Sequence, residues 1–312
     1  MLAQKQVHLM GTVIDILVEA DSHPDLLAEE ACRLLDIYNK RFSANDTDSE
    51  LMAINHAAGK RPVEVDKDLF ELIKIGKRHS LADTSNLNIA IGPLVQTWRI
   101  GFSDAKLPDP AAIKEKQGLI QPEKIVLEDG QQTVFLAQEG MKIDLGALAK
   151  GFIADKIMNY LKEHGARSAL INLGGNVLVY GPNQKRPDKL WYIGIQNPQK
   201  ARNQNLGLVK IADQSVVTSG IYERHMVVDG TDYHHIFDSN TGYPIETEMA
   251  SLTIVSDLSL DGEIWTSRLF GLPLSDAVAV IDQLPHIEGI IVTKDNRFFV
   301  SKGLKTRFIP LF

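Results

Sequence analysis

The segment KIDLGALAKG, residues 142–151, places a carboxylate, a glycine turn and a lysine within ten residues. Its last residues open a predicted helix, whose first N–H groups are unpaired and lie at the positive end of the helix dipole. Such a helix end can bind an anion such as a diphosphate, and Lys150 can add its charge. Asp144 and the turn carbonyls supply the hard oxygens that a divalent cation prefers. The segment predicts a joint anion and metal site, although it matches neither the P-loop nor the dinucleotide-binding pattern.

Two later segments contain further candidate ligands, TDYHHIFDSNTGYP at residues 231–244 and LDGEIWTSRLFGLP at residues 260–273. One interpretation of the first segment is a transition-metal cluster formed by His225, His234, His235 and Asp238. Because neighbouring residues of a strand point to opposite faces, His234 and His235 rarely reach one ion. The three segments together predict a composite site in which an imidazole and several oxygen ligands meet.

Composition excludes several classes of protein. The chain has 312 residues, of which 44% are hydrophobic and 23% charged, as is typical of a folded globular protein. A formal net charge of −7 argues against nucleic-acid binding, which needs a basic face. The sequence contains no apolar run of the roughly 18 residues that a membrane span requires, and its beginning lacks the apolar core of a signal peptide. We expect a cytoplasmic protein, or an exported or lipid-anchored one if a leader has been removed.

Hydrophobic spacing and turn residues predict the elements that position these segments. Helical spacing predicts helices at residues 24–42, 66–81, 147–163, 261–270 and 275–284. Short apolar runs bounded by turn residues predict strands, after a first strand near the beginning, at residues 124–127, 133–137, 141–145, 168–173, 176–180, 191–195, 206–211, 215–218, 225–228, 234–238, 289–293 and 298–301. Residues 101–122, which contain three prolines, are predicted to be irregular.

This order of elements predicts the α+β class. We expect largely antiparallel sheets with flanking helices, arranged in two intimately packed lobes. No linker or fixed-period repeat divides the sequence, so residues 1–312 are predicted to form a single domain.

A series of short motifs follows the order found in one protein family. Starting from Met-Gly-Thr at residues 10–12, they are RFS at 41–43, SELMAIN at 49–55, IGPLVQTW at 91–98, INLGGN at 171–176, IGIQNP at 193–198 and TSGIYER at 218–224. With the three segments above, they make the chain similar to the FAD:protein FMN transferases of the ApbE-like family over nearly its full length. The resemblance implies the ApbE-like fold, FAD as a substrate, and a divalent cation, Mg²⁺ or Mn²⁺.

The resemblance also implies how the cation is held. In the family a backbone carbonyl of the glycine turn binds it, together with an acidic and a hydroxyl residue four positions apart on a later helix. The carbonyl corresponds to Ala147. Counting back from the Leu-Phe pair in the third segment assigns Glu263 and Ser267. Asp261 and Thr266 are the competing pair, but their spacing of five residues is poorer for one helical face.

For the chemistry, the resemblance indicates His235 in HIFDSNTG, with Ile236 beside it in the pocket. A neutral imidazole has a pKa suited to taking the proton of an acceptor hydroxyl. Lys150 can contact the diphosphate or ribose of FAD, and Asp144 can accept hydrogen bonds from the cofactor or orient the turn. We expect His234 to pack or form hydrogen bonds elsewhere.

Other motifs imply contacts to the two ends of FAD. Met10, at the end of the first strand, corresponds to a residue that packs on the flavin ring, which suits a polarisable thioether. Asp155 corresponds to an aspartate that holds adenosine. Trp98 and Tyr222 could wall the pocket, although an isolated aromatic residue usually belongs to the core.

The remaining candidates lie in loops. Gly174 and Ser219 are expected where the backbone approaches either the ligand or a neighbouring strand. Ser85, Asn86 and Asn88 replace a stretch that often reads Gly-Ala-Phe-Asp in relatives, so the polar contacts of this loop differ from the family pattern.

The resemblance implies an enzyme that moves the FMN moiety of FAD onto a Thr or Ser hydroxyl of an acceptor flavoprotein and releases AMP. The acceptor segment would resemble Asp-Gly-x-Ser/Thr-Gly-Ala-Thr. Two alternatives use the same pocket. One is a Mg²⁺-dependent FAD diphosphatase, in which water attacks, and the other is a non-catalytic FAD-binding protein.

Overall fold

The computed structural model describes residues 1–311. In chain order the strands are β1 Leu2–Leu9, β2 Thr12–Ala20, β3 Val63–Glu64, β4 Ile125–Glu128, β5 Thr133–Leu136, β6 Ala166–Leu173, β7 Asn176–Tyr180, β8 Trp191–Gln196, β9 Asn205–Ile211, β10 Ser215–Gly220, β11 His225–Val228, β12 Thr231–His234, β13 Met249–Ser256, β14 Ile287–Thr293, β15 Phe298–Val300 and β16 Phe308–Pro310. The α-helices are α1 Pro24–Phe42, α2 Glu50–His56, α3 Lys67–Ser80, α4 Gly92–Trp98, α5 Pro110–Gln117, α6 Ala149–Glu163, α7 Ser259–Leu269 and α8 Leu274–Ile281. Two short 3₁₀ turns, Pro122–Lys124 and Lys302–Leu304, complete the elements.

One sheet of eight strands organises the molecule. Its order is β1-β2-β6-β7-β10-β13-β14-β15, and every neighbouring pair is antiparallel. Strands β3, β5 and β4 form one small sheet, β16, β9 and β8 form another, and β11 pairs with β12 in a hairpin. The mixture of antiparallel sheets and helices confirms the predicted α+β class.

Both faces of the main sheet are covered. Helices α1 and α6 pack on one face of its β1-β2-β6 end, and α3 joins them in the largest hydrophobic cluster. The sheet β16-β9-β8 packs against the other face, in a cluster that contains Val179, Val209 and Val255. All eight residues of β13 are buried, as expected for a strand between two packed layers.

Helix α1 shows how the sequence produces this packing. Its buried residues follow the spacing of three and four that defines one helical face, and they are Ala28, Ala31, Leu35, Tyr38 and Phe42. The helix begins at a proline and ends with basic residues in its last turn, which suits the helix dipole. Its observed bounds coincide with the predicted residues 24–42.

Helices α6 and α7 touch at Gly151. A Cβ atom at this position would lie 2.6 Å from the carbonyl oxygen of Ser259 and 2.7 Å from Cγ of Glu263. Only glycine permits this approach, because no real Cβ atom comes so close to backbone. The contact brings the first turn of α6 against the middle of α7.

The prediction of a strand at residues 141–145 is wrong. This segment forms only an isolated parallel bridge between Lys142 and Ile91. The buried Asn55 side chain occupies the backbone groups that a strand neighbour would use, because its Oδ1 accepts from Ile143 N at 2.7 Å and its Nδ2 donates to Ile143 O at 3.0 Å. The segment is therefore extended but is attached to a side chain rather than to a sheet.

Two further predictions need correction. Residues 101–122 are not irregular throughout, since they contain α5, which begins at Pro110 after Asp109 accepts a hydrogen bond from Ala111 N at 2.7 Å. The strand predicted at 234–238 ends at His234, because the next turn is held by a hydrogen bond from Ile236 N to the His234 ring.

None of the helices within residues 1–311 combines the length and the apolar character needed to cross a bilayer.

Candidate functional site

The turn at Asp144 precedes α6 and is held by its own aspartate. Asp144 Oδ1 accepts from Gly146 N at 2.8 Å. Burial raises the pKa of this half-buried carboxyl, whereas the Gly146 hydrogen bond and the charge of Arg224 oppose the rise. Asn55 holds the preceding residue, Ile143, from the other side. The sequence KIDLG thus forms a rigid bend that presents a carboxylate next to a helix end.

The start of α6 leaves polar backbone groups free. Leu148 at the N-cap provides no side-chain hydrogen bond, and Ala147 is exposed. Leu148 N and Ala149 N both donate to Leu145 O, but the carbonyl oxygen of Ala147 accepts no hydrogen bond from any residue in 1–311. The N–H of Lys150, in the first helical turn, likewise has no partner in this range. This end of α6 can therefore receive an anion through N–H groups and a cation through a carbonyl.

Glu263 on α7 faces this helix end. Its side chain is 5% exposed, and its Oε1 lies 2.9 Å from Asn176 Nδ2 and 3.6 Å from Lys150 Nζ. Ser259 Oγ donates to Asn176 Oδ1 at 2.7 Å, which fixes the orientation of the Asn176 amide. Among residues 1–311, Oε2 of Glu263 has no hydrogen-bond partner. A buried carboxylate with one free oxygen is suited to a cation.

The competing pair on α7 is placed differently. Thr266 is completely buried, and its hydroxyl donates to Glu263 O at 3.2 Å, so its polar atom is already used. Asp261 is half-buried, and burial, followed by the charge of Asp257, raises the pKa of its carboxyl. Ser267 is half-buried and follows Glu263 by one helical turn. The geometry favours Glu263 and Ser267 over Asp261 and Thr266 as the oxygen pair.

Asp155 connects α6 to α7. Its Oδ1 accepts from Ser259 N at 2.8 Å and its Oδ2 accepts from Leu260 N at 2.9 Å, so it caps the N-terminus of α7 from a neighbouring helix. The N-cap residue of α7, Leu258, has no side chain able to do this. Burial raises the pKa of Asp155 to about 6 against the effect of these two hydrogen bonds. Both carboxylate oxygens serve the helix, which is a structural role that the implied adenosine contact did not anticipate.

His235 is held in one tautomer. Its Nδ1 lies 3.1 Å from the carbonyl oxygen of Arg224, which can only accept, so Nδ1 carries the proton and Nε2 has a free lone pair. Burial lowers the pKa of His235 to about 4, and the charges of Arg224 and Lys150 lower it further, against the hydrogen bond to Arg224. The imidazole is neutral at pH 7 and can accept a proton at Nε2.

His234 points elsewhere, as predicted. Its Nε2 donates to Ile245 O at 3.0 Å and its Nδ1 accepts from Ile236 N at 3.3 Å, so both ring nitrogens are used. His225 instead pairs with Asp232 on the exposed β11-β12 hairpin, at 2.8 Å. No group of three or more His, Cys, Asp or Glu side chains in the described chain is arranged to hold a metal ion.

Two hairpin tips lie side by side near this site. Met10, with φ of 54°, and Gly11 form the two-residue turn between β1 and β2, and the half-buried Met10 packs at the edge of the largest hydrophobic cluster. Gly174, with φ of 66°, lies in the turn between β6 and β7 and touches Thr12 so closely that a Cβ atom would collide with its hydroxyl. Gly174 therefore allows the turn after β6 to approach the start of β2 closely.

The loop at residues 85–88 uses most of its polar atoms inside the protein. Asn86 N donates to Arg268 O at 3.2 Å and its Nδ2 donates to Phe270 O at 2.5 Å, which caps the end of α7. Asn88 Nδ2 donates to Ile120 O at 2.9 Å and to Ser239 Oγ at 3.1 Å. The contacts proposed from this loop to FAD thus compete with structural hydrogen bonds.

The prediction that Trp98 walls a pocket is wrong. Its side chain is 0% exposed, and its Nε1 donates to Gly242 O at 3.0 Å. The indole packs against the rings of Tyr233, Phe237 and Tyr243, with centroid separations of 5.4, 5.9 and 5.5 Å. Trp98 supports the HIFDSNTG turn from beneath rather than contacting a ligand.

Three other candidates are Tyr222, Ser219 and Ile236. Tyr222 packs its ring against Gly220, where a Cβ atom would lie 2.7 Å from the ring, and burial raises the pKa of its hydroxyl to about 12. Ser219 is a half-buried residue of β10 opposite Leu252. Ile236 packs against the hydrophobic cluster formed with α7 and α8.

A cavity of about 290 Å³ opens beside Asp144. It is lined on the other sides by residues of the α1-α2 connection, α2 and α4, among them Asn45, Met52, Gln96 and Arg99. Asp144 and Ile143 thus line a hollow that has both apolar and polar walls. The polar walls can contact the heteroatoms of a flat aromatic ligand.

Known proteins resemble this chain in sequence and in fold. Residues 10–291 match the sequence model of the ApbE family. The chain belongs to the ApbE family. It is 42% identical to an FAD:protein FMN transferase of Klebsiella pneumoniae (strain 342), over 97% of this chain and 93% of that protein. It is 37% identical to an FAD:protein FMN transferase of Treponema pallidum (strain Nichols), over 89% and 80% respectively.

The fold is likewise that of solved ApbE structures. The crystal structure of the ApbE protein from Thermotoga maritima superposes with a TM-score of 0.88 at 25% identity, covering 98% of this chain and 99% of that one. The flavin transferase ApbE from Vibrio cholerae superposes with a TM-score of 0.83 at 23% identity. The predicted family and fold are confirmed.

Three residues of this ApbE family member are functional candidates that the sequence analysis did not select. Asn55 holds the Asp144 bend, Asn176 orients Glu263, and Arg224 fixes the His235 tautomer. Each is the last residue of a family motif quoted above, SELMAIN, INLGGN and TSGIYER. Their position at the end of a motif could have indicated these residues. Their roles could not be predicted, because the residues that they contact lie far away in the sequence.

Proposed function

We propose that this chain transfers the FMN moiety of FAD to a Thr or Ser hydroxyl of an acceptor flavoprotein and releases AMP. One observation carries the proposal, namely that α6 places the Lys150 ammonium group 3.6 Å from the buried carboxylate of Glu263 on α7, just after the free carbonyl of Ala147. A diphosphate needs both positive charge and a metal ion for cleavage, and this junction offers ligands for each. The names of the curated relatives support the same activity.

The residues present fit a divalent cation. The Ala147 carbonyl and Glu263 Oε2 are both without hydrogen-bond partners among residues 1–311, and the Ser267 hydroxyl lies one turn beyond Glu263. All three are hard oxygen donors, which Mg²⁺ or Mn²⁺ prefers to nitrogen or sulfur. When bound there, the ion would draw negative charge off the diphosphate.

Lys150 and the α6 N-terminus hold the substrate in this proposal. The Lys150 ammonium group and its unpaired N–H are directed toward the junction, where the phosphate oxygens of FAD would accept hydrogen bonds. Asp144 keeps the bend in place and lines the neighbouring cavity, which we assign to the flavin ring. Binding the two ends of FAD on either side of the bend would place its diphosphate at the helix end.

His235 takes the proton. The acceptor hydroxyl oxygen attacks the phosphorus of the FMN half, and the bond from that phosphorus to the bridging oxygen breaks. AMP leaves with the bridging oxygen, and the hydroxyl proton moves to Nε2 of His235. The Arg224 carbonyl keeps the other ring nitrogen protonated, so Nε2 is available. No protein nucleophile is needed, because transfer of this type depends on positioning and charge stabilisation.

The test is direct transfer to a peptide. The protein is incubated with FAD, Mg²⁺ and a peptide of the Asp-Gly-x-Thr-Gly-Ala-Thr type, and the peptide is weighed by mass spectrometry while AMP is measured. The proposal predicts that the peptide gains the mass of FMN minus water, with equimolar AMP, and that a peptide with Ala in place of the acceptor Thr gains nothing.

Two other outcomes would reject the proposal. Equimolar free FMN and AMP with an unmodified peptide would identify an FAD diphosphatase. Tight binding of intact FAD without AMP release would identify a non-catalytic binder. Repeating the reaction with Mn²⁺ and with a chelator shows whether a divalent cation is required and which one supports transfer.

A further inference from the structure

Three basic side chains converge where the end of α3 meets the end of α7. The ring of His79 lies between two arginines, with Nε2 at 3.2 Å from Arg78 NH2 and Nδ1 at 3.4 Å from Arg268 NH1. Arg268 is also stacked over the Trp265 ring at 4.5 Å. We call Arg78, His79 and Arg268 the basic cluster.

The basic cluster cannot satisfy its own hydrogen bonds. Burial, followed by the charges of Arg78 and Arg268, lowers the pKa of His79 to about 4, so the ring is neutral at pH 7. A neutral imidazole has one acceptor nitrogen and one N–H, whereas a guanidinium group has donors only. Therefore only one of the two contacts can be a hydrogen bond, and the other places a donor against a donor.

The charge of the basic cluster is also uncompensated. Neither Arg78 nor Arg268 forms an ion pair with any residue in 1–311, whereas Arg41, near the opposite end of α3, pairs with both Glu50 and Asp66. The carboxylate of Asp261 acts on Arg78 only through space. Two positive charges side by side without a counter-ion repel each other and favour an external anion.

Two buried polar atoms at this place have no partner in the described chain. They are Nε of Arg268 and Oγ of Ser85, the residue before Asn86, whose N–H is bonded to Arg268 O. A buried donor without an acceptor costs free energy, and native structures rarely tolerate it. An acceptor supplied from outside would remove this cost.

Helix dipoles account for only part of the arrangement. Arg78 and Arg268 each lie in the last turn of a helix, where the dipole favours a cation. This explains each arginine separately, but it does not explain why both converge on one neutral imidazole.

We propose that the basic cluster, together with Ser85, is a binding site for a phosphate-type oxyanion. Arg268 NH2 already donates to Asp83 O at 3.1 Å, but Arg268 Nε and the Ser85 hydroxyl still lack an acceptor. A phosphate-type ligand only accepts hydrogen bonds, so it would match these donors. Arg268 is five residues beyond Glu263, which rotates it by about 140° around the helix axis and away from the α6-α7 junction. The site is therefore separate from the one that holds the diphosphate in the proposed function.

The test measures binding of inorganic phosphate to the full chain by isothermal titration calorimetry, without FAD or metal. We expect saturable binding that weakens at least about tenfold in Arg78→Gln and in Arg268→Gln, the loss expected when one charge-assisted hydrogen bond is removed. Arg186→Gln is the matched control, since Arg186 also stacks on an aromatic ring, Tyr192, but lies elsewhere on the surface. Lys150→Gln tests whether the heat comes from the α6-α7 junction instead.

Equal affinity in wild type, Arg78→Gln and Arg268→Gln, or loss of binding in Lys150→Gln alone, would overturn the proposal. A second measurement needs no variant: phosphate should shift the ring resonances of His79 in a nuclear magnetic resonance titration, and an unshifted His79 at saturation would also overturn it. Phosphoserine and acetate are titrated in parallel. Tighter binding of phosphoserine would indicate a phosphomonoester as the ligand, tighter inorganic phosphate would indicate the free ion, and preference for acetate would contradict the assigned class.

Discussion

The α6-α7 junction and the segment of residues 85–98 both carry family motifs, yet the structure uses their polar atoms in opposite ways. At the junction, the Ala147 carbonyl and Glu263 Oε2 have no hydrogen-bond partner among residues 1–311. In the other segment, Asn86, Asn88 and the Trp98 indole give hydrogen bonds to protein carbonyl groups. A motif thus shows where residues matter, whereas free hydrogen-bonding capacity shows where a ligand can bind.

The largest effect is expected at the junction. Glu263→Gln and Ser267→Ala should each reduce Mg²⁺-dependent transfer by about 10³-fold or more, because the first removes the negative charge of one proposed metal ligand and the second removes the hydroxyl of the other. The measurement is the initial rate of peptide modification at saturating FAD. Asp261→Asn on the same helix is the matched control and should keep most of the activity. Full activity in Glu263→Gln with loss in Asp261→Asn would reverse the assignment.

The next effect concerns His235. His235→Gln should lower kcat by roughly 10²-fold or more, the usual contribution of a positioned general base. Because the pKa of His235 is about 4, the wild-type rate should not fall through protonation of this residue until the pH approaches 4. A pH profile of kcat measures this, and an acid limb near pH 6.5 that disappears in the variant would contradict the low pKa.

Trp98 tests the second region, the segment of residues 85–98, whose polar atoms bond within the protein. Trp98→Phe removes the donor to Gly242 O and leaves a buried carbonyl unpaired, so the free energy of unfolding should fall by about 1–3 kcal/mol. The KM for FAD should stay unchanged, because the indole is fully buried. Denaturant unfolding and steady-state kinetics measure the two quantities. A raised KM with unchanged stability would restore the pocket-wall interpretation.

The smallest effect is expected from Asp155, and it depends on pH. The folded-state pKa of about 6 exceeds the ordinary 3.8, so folding favours the protonated form. The stability contributed in this way is complete below about pH 3.8 and is lost as the pH rises through about 6. The difference in unfolding free energy between wild type and Asp155→Asn should therefore favour the wild type more at pH 4 than at pH 7. A difference that is independent of pH would show that the carboxyl has an ordinary pKa.

Local patterns predicted much of the fold. The bounds of α1, β7 and β11 coincide with the predicted ones, because apolar spacing and flanking turn residues define them. Asp109 and Pro110 could have indicated the start of α5, because aspartate at the N-cap followed by proline is typical of a helix N-terminus. The prediction of an irregular segment missed this helix. Strand β13 could not be predicted from alternating polar and apolar residues, because a strand that is buried on both faces does not show this alternation.

The site was harder to predict because its contacts join distant parts of the chain. Asn86 and Phe270 are 184 residues apart, and Asn55 and Ile143 are 88 apart. Motifs identified Lys150, which lies 3.6 Å from Glu263 and whose charge acts on His235. They could not show that Trp98 would be buried. Residue type and motif order carry no information about which polar atoms the protein itself uses.

The central claim is that a divalent cation binds between the Ala147 bend and the Glu263 face of α7. The most direct measurement is an anomalous difference map from crystals grown with FAD and Mn²⁺. We expect one strong peak, bounded by the Ala147 carbonyl, the Glu263 carboxylate and the Ser267 hydroxyl, next to the FAD diphosphate. A peak at Asp261 instead, or a diphosphate bound away from the start of α6, would contradict it.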